Sequence, residues 1–327
     1  MPKNRLRPLI YVGMAIPFIA LPFVITGYYV NILTAILIWF IVAVSYRLLA
    51  TTGEFSLSHV VIMGIGAYTT ALVMRYFGYS FWLAAPIGGL ASAGFAAATA
   101  YPLFRMKGFY FLLGSFAIGE GLRLCWMRWV VPFGGHIGLR NIPSPSLGAF
   151  TFDTVPSFYY LTLGITAACL AVTYLINRSR WGKNLVAIHW QDSLCESLGI
   201  NVLGHKVLAY VVASFFAGIA GGLVGPYLHT FNPQQFSIAN MLYLIVWVIV
   251  GGTNTFWGPI LGILTLYPIQ EVLRIYFTEY MPMFYGIVLI TIVLALPGGL
   301  ESIPARVREW RKARSGRGVK LKEIVSG

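Results

Sequence analysis

The five histidines, His59, His136, His189, His205 and His229, are well separated, and none pairs with another at the helical spacing a metal site would use. Among the ten acidic residues no two form the DxxD arrangement that could hold magnesium for a membrane-embedded transferase. The three cysteines, Cys125, Cys169 and Cys195, are scattered without metal-ligand spacing and read as small apolar residues. HExxH and GxSxG are missing. So is the GxxxxGK[ST] phosphate loop, so the chain does not bind ATP by that device. The expectation is a protein with no catalytic residues of its own and no bound metal or cofactor.

Chemistry of another kind is available. Glu120 is the acid placed well inside an apolar run, and intramembrane carboxylates are costly and often functional. Arg123 follows one helical turn on, so Glu120 reads either as half of a structural ion pair or as a substrate contact. Three apolar stretches are interrupted by Gly or Pro. They are Gly53–His59, which holds Ser56 and His59 and enters Val60–Tyr68; Phe231–Ser237; and Gly251–Pro259, which holds Asn254. Broken helices expose backbone groups that survive at membrane depth only when buried in protein or lining a cavity, and transporters build substrate sites from them. Each segment can also be a plain loop. Ser56, His59, Glu120 and Asn254 are therefore candidate pathway residues. His136, in the Gly134–Gly138 run, is expected at the outer mouth, where glycines allow close backbone approach.

The elements that must position these residues are apolar helices. The chain is 58% hydrophobic and 10% charged, against about 25% charged in a soluble domain. A span needs about 20 mostly apolar residues. Ten runs qualify, with a short eighth: Leu9–Tyr28, Ile32–Ala50, Ser58–Met74, Phe81–Phe104, Phe109–Trp126, Ser157–Asn177, Lys206–Leu228, Met241–Gly252, Gly258–Phe277 and Met281–Leu296. None alternates as a barrel strand would. Met1–Pro8 is basic and leads into a run with no small-residue cleavage site, so it reads as part of a retained first span.

Charge tests the count. With the N-terminus in the cytoplasm, only Arg75, Arg123, Arg128, Arg140 and Arg274 of the 23 Lys and Arg fall outside. That bias is the positive-inside pattern, so the sequence reads as an all-α polytopic transmembrane bundle of about ten spans with both termini cytoplasmic. The permease domain covers 1–303 and a basic cytoplasmic tail covers 304–327. The net charge of +13 is explained by this distribution and not by nucleic-acid binding. Phe55-Ser56-Leu57 and Phe236-Ser237-Ile238 fall on opposite sides, as an inverted repeat would leave them.

The long cytoplasmic connection, about 178–205, contains a helical stretch from Lys183 to Leu198 ended by Gly199. Leu185, Ile188, Leu194 and Leu198 recur near a helical period, and Asp192 and Glu196 are four apart on one face. Such a helix either lies on the membrane surface or inserts into a partner protein. Gly218 and Gly222, Gly221 and Gly225, and the series Ala85, Gly89 and Ala93 are small residues at the spacing of close helix contacts in lipid.

Several of these segments together resemble one family. They are Phe55–His59 with Gly64–Tyr68; Phe116–Arg123; Gly182–Val202; Ala217–Gly222; Gly251-Gly-Thr with Trp257-Gly-Pro259; and Leu296–Leu300. Nearly the whole chain, in order, resembles the M-type permease of the branched-chain amino acid ABC importers. Gly182–Val202 is the most specific part. The resemblance implies that Ala187, Asp192, Glu196 and Gly199 belong to a coupling segment that docks on an ATPase. It also implies a second permease subunit in a heterodimer, two ATP-binding subunits carrying ATP and magnesium, and a periplasmic solute-binding protein. The protein would lie in the bacterial inner membrane and move solute inward by alternating access. The chain departs from the family at Leu57-Ser58-His59, at Gly134–Gly138 and at Gly251–Thr255. Related systems carry amides, urea and aromatic acids, so the solute class is open among these and branched-chain amino acids. The alternative function is an ion-coupled secondary transporter of small organic solutes, which would need a cluster of intramembrane acids.

Overall fold

The structure is a computed structural model that describes residue 22 and residues 27–302, except 107, 149, 277, 296 and 297. Most of the expected first span and the tail after 303 lie outside the described residues. The helices are α1 (Gly27–Ala50), α2 (His59–Phe77), α3 (Phe81–Phe104), α4 (Phe109–Arg128), α5 (Val155–Arg178), α6 (Arg180–Trp190), α7 (Asp192–Ser197), α8 (Val202–Leu228), α9 (Ile238–Gly251), α10 (Gly258–Tyr276) and α11 (Met281–Ala295). Two short antiparallel ladders join β1 (Leu139–Arg140) to β4 (Thr230–Phe231) and β2 (Ser146–Leu147) to β3 (Phe150–Thr151).

Five of these helices, α1, α2, α3, α5 and α8, are long and apolar enough to cross a membrane, and α9 is apolar but shorter. Each helix from α1 to α5, and from α8 to α11, overlaps one of the apolar runs. Contacts divide the chain into two units, 1–241 and 242–327.

In the first unit α8 is the central helix, packed against α1, α2 and α3. Apolar burial does not bring helices together in lipid, so close approach of backbones must. A Cβ on Gly66 of α2 would run into the carbonyl of Gly218 on α8, and one on Gly221 would run into that of Met63. The other side of α8 meets α3, where Gly218 faces Ser92 and Gly89, and Gly222 faces Ala85. Buried hydroxyls cross the remaining gaps: Ser92 Oγ donates to the Ile62 carbonyl at 3.0 Å, and Thr166 Oγ1 to that of Leu37 at 3.2 Å.

The long connection after α4 returns to the end of α8 through the β1–β4 ladder, Leu139 opposite Phe231 and Arg140 opposite Thr230. Beneath it Tyr68 is ringed by aromatics. Its ring centre lies 4.7 Å from Trp126, 4.9 Å from Phe231 and 5.5 Å from Phe133.

In the second unit, α9 and α10 come close where a Cβ on Gly262 would meet the Trp247 carbonyl. Trp247 Nε1 donates to Tyr285 Oη at 3.3 Å, which donates to Gln270 at 2.8 Å. The turn between α9 and α10 is held by one carboxylate, Glu301. It accepts the backbone N–H groups of Asn254 and Thr255, both at 2.9 Å, and the Thr255 hydroxyl.

Candidate functional site

The turn from α1 into α2 carries a buried polar cluster. Ser58 is the residue before α2, yet its hydroxyl makes no cap. It lies 2.8 Å from Ser56 Oγ and 3.0 Å from Tyr210 Oη on α8. His59, fully buried, has Nε2 3.1 Å from Ser45 Oγ on α1. The Leu57 N–H donates to Ser115 Oγ on α4 at 2.9 Å. Ser56 and His59 thus share one site. Four helices meet there, and its hydroxyls satisfy one another instead of water.

One turn along α8 from Tyr210, Lys206 ties three elements together. Its Nζ is 3.2 Å from Glu54 Oε1 in the α1–α2 turn and 2.9 Å from Asp192 Oδ2, the first residue of α7. The Lys206 and Glu54 side chains are each 12% exposed, against 44% for Asp192. His189 of α6 lies against Gly53, where a Cβ would come within 2.9 Å of its Nδ1. The segment α6–α7 is therefore fastened at two points to the turn that carries Ser56.

This segment corrects the sequence reading. The stretch 183–198 is not one helix: Gln191 is extended (φ −160°, ψ 92°), and α6 and α7 meet there. The break turns the second half away from the register of the first. Leu185 and Ile188 are buried, the former against Leu48 and Ala209. Leu194 and Leu198 are exposed, as are Val186 and Trp190. Cys195 is the residue α7 buries, beside Ile188 and Val202. Ala187 and Glu196 are exposed, and Gly199 ends the segment at φ +80°, a conformation other residues rarely adopt. Asp192 and Glu196 both lie in α7, four residues apart as expected, and Asp192 also pairs with Lys206 within the chain.

Glu120 and Arg123 do form a pair on α4. The guanidinium holds both carboxylate oxygens, with Nε 2.9 Å from Oε2. Nη1 reaches Gln234 Oε1 at 3.2 Å and Met127 Sδ at 3.1 Å. His136 is exposed in a single 3₁₀ turn, Gly135–Ile137, and lines a cavity of about 630 Å³ with Leu124, Met127, Arg128 and Ile137. Asn254 belongs to the second unit, on the turn clamped by Glu301. A further acid inside an apolar run escaped the sequence reading: Glu271 on α10 is largely buried and 2.6 Å from Arg274. Its signal was present as an acid and a base three apart inside an apolar run. Among the described residues no three His, Cys, Asp or Glu come together as a metal site would need.

Residues 28–294 match the family described as "Branched-chain amino acid transport system / permease component". The high-affinity branched-chain amino acid transport system permease protein LivM of Escherichia coli (strain K12) is 27% identical over 318 residues, 90% of this chain and 75% of the relative. The L-arabinose transport system permease protein AraH of the same organism is 22% identical over 233 residues, 68% of each chain. The high-affinity branched-chain amino acid transport system permease protein LivH of the same organism is 29% identical over 138 residues, 42% of this chain and 44% of the relative. No solved structure matches the chain.

Proposed function

Because the chain belongs to the branched-chain amino acid transport system permease family, we propose that it is one of two permease subunits of an ABC importer, carrying branched-chain amino acids or a related small solute inward. The observation that carries this reading is the family match across residues 28–294. The family is one of transport permeases, not enzymes.

The chain would cross the bacterial inner membrane about ten times with both termini cytoplasmic and 304–327 as a basic tail. The charge bias and the overlap of helices with apolar runs support that count. The two Phe-Ser segments lead into α2 and α9, in keeping with an inverted repeat. A second permease would complete the pathway, two ATP-binding subunits would hold ATP and magnesium, and a periplasmic binding protein would deliver solute. LivM and LivH, two permease proteins named for one system, support the heterodimer.

The coupling element would be α6–α7. Trp190, Leu194 and Leu198 are exposed among the described residues, and exposed apolar surface of this kind marks partner contacts. Movement of α7 would pull on Lys206 and Glu54 and so on the buried cluster around Ser56, Ser58 and His59, which we assign to the inner gate. An ion-coupled carrier would instead use a carboxylate that changes protonation. Glu120 and Glu271 are each held by an arginine, which favours the ATP-driven reading.

The test is copurification and transport. The chain should bring a second permease and ATPases with it, and the reconstituted complex should import L-leucine only with ATP and the binding protein. Uptake by the chain alone, driven by an ion gradient, would overturn the proposal.

A further inference from the structure

We propose that the corner between α5 and α6 binds an anionic phospholipid, with Arg178, Arg180 and Lys183 on the headgroup phosphate and the last turns of α5 along an acyl chain. This goes beyond the permease reading and rests on α5 being a span, for which it is long and apolar enough.

The first observation is charge without an acid. Arg178, Arg180 and Lys183 are close in sequence and all exposed. No Asp or Glu occurs between Asp153 and Asp192. Among the described residues none of the three cations forms an ion pair. Arg180 opens α6 and Lys183 follows at its first turn, which holds no acid. That end of a helix carries partial positive charge and disfavours cations. Membrane orientation asks for basic residues on this side of the span, but it does not ask for them at a helix N-terminus. An anion seated among them relieves the repulsion.

The second observation is how the cations are held. The Arg178 guanidinium lies over the Tyr174 ring, 4.6 Å from its centre. Stacking grips the group by its flat face and leaves the N–H donors at its edge, in the fork that matches a phosphate. The corner itself is fixed. Ser179 Oγ donates to the Ile176 carbonyl at 2.6 Å and accepts the Gly182 N–H at 3.2 Å. A Cβ on Gly182 would collide with the Ile176 and Asn177 carbonyls, so the first turn of α6 sits directly on the last turn of α5. The same pairing closes α3, where Arg105 lies over Tyr101 at 4.4 Å. An arginine laid on a tyrosine at the end of a span suits the boundary between hydrocarbon and headgroups.

The third observation is the surface that leads up to the cations. Ala168, Ala171, Val172 and Leu175 recur at helical spacing on α5 and are exposed among the described residues, Val172 by 46% and Leu175 by 67%. Arg178 stands one turn beyond Leu175. A soluble anion has no use for the apolar part of this face. A phospholipid presents hydrocarbon and then phosphate in the same order along the helix, and basic groups just beyond a span attract anionic headgroups. Leu194 and Leu198, which the ATPase contact would use, lie on α7 beyond the break at Gln191. A lipid at the corner pins the start of α6 to the membrane surface and leaves α7 to move.

The test places the full chain, with whatever subunits copurify, in phosphatidylcholine nanodiscs containing a phosphatidylglycerol with a photoactivatable acyl chain. Peptide mass spectrometry maps the adducts. They should appear on residues 168–178. Unlabelled phosphatidylglycerol should reduce them several-fold, while added phosphatidylcholine or inorganic phosphate should not. Replacing the three cations together (Arg178→Gln, Arg180→Gln, Lys183→Gln) should also reduce them several-fold. Tyr174→Leu, which keeps every charge and removes the ring, should give a smaller loss. The competition uses the native protein, so it decides even where a variant folds poorly. Adducts that phosphatidylcholine competes away equally well overturn the proposal, as does a triple variant that folds and is labelled like the native chain. Absence of adducts at 168–178, with cross-links from this corner to another subunit, means that a protein covers it and overturns the proposal too. The readout does not involve transport, so failure of the permease reading would be seen separately, in uptake.

Discussion

Lys206→Met removes the charge that joins α7, the α1–α2 turn and α8, and keeps most of the apolar stem. The Glu54 arm is nearly buried, with both side chains 12% exposed and a distance of 3.2 Å. A hydrogen bond to a charged group contributes about 1.5–3 kcal/mol, and this length argues for the lower end. Asp192 is 44% exposed, so solvent screening cuts its arm to below about 1 kcal/mol. Together the fastening is worth about 2 kcal/mol, which shifts the ratio of attached to detached α7 about thirtyfold at 1.4 kcal/mol per decade. The variant also leaves two carboxylates facing each other. In the reconstituted importer Lys206→Met should insert and hydrolyse ATP, while L-leucine imported per ATP falls by about tenfold or more. Lys206→Arg should restore most of it, and Glu54→Gln should be worse than Asp192→Asn, in the order of burial. Normal coupling in Lys206→Met would refute the reasoning. So would a proportional loss of assembly, hydrolysis and uptake, because that is what a merely structural residue gives.

Gly218→Val should prevent folding of the first unit, since its side chain would meet Ser92 and the Gly89 backbone; overpacking of this kind costs about 1–3 kcal/mol or more, and normal yield and melting behaviour in detergent would contradict the packing described. Glu301→Ala should remove the acceptor of two backbone N–H groups in an exposed turn, where each hydrogen bond contributes about 0.5–1.5 kcal/mol. Faster proteolysis at 252–257 than in the native protein is the readout, and Glu301→Gln should rescue partly. Glu196→Arg, between the exposed Leu194 and Leu198, should leave insertion intact and reduce ATPase association; wild-type association and uptake would show that α6–α7 is not the coupling element.

What was legible in the sequence follows from range. Apolar runs and small-residue spacing are local signals, so helices and the faces by which α3 and α8 meet could be read directly. Glu120 with Arg123 was readable because the partners are three apart. The Lys206–Glu54 pair joins residues 152 apart, and Ser58–Tyr210 spans the same distance. Nothing in either segment names its partner. The break at Gln191 carries no Gly or Pro, so the period of Leu185, Ile188, Leu194 and Leu198 ran through it unmarked. There the burial of Cys195 and the anchoring of Asp192 overrode the local pattern. The Glu301 clamp was missed for the reverse reason. The Gly251–Pro259 segment drew attention to Asn254, and nothing in it pointed to an acid 47 residues on that takes its backbone N–H.

Glu301 also imposes an order on biogenesis. The turn it holds is made 46 and 47 residues earlier, so α9 and α10 are synthesised before the group that closes the loop between them exists. Until α11 has followed, the Asn254 and Thr255 amides have only water to bond. A nascent chain stalled short of residue 301 therefore lacks the acceptor that closes this turn.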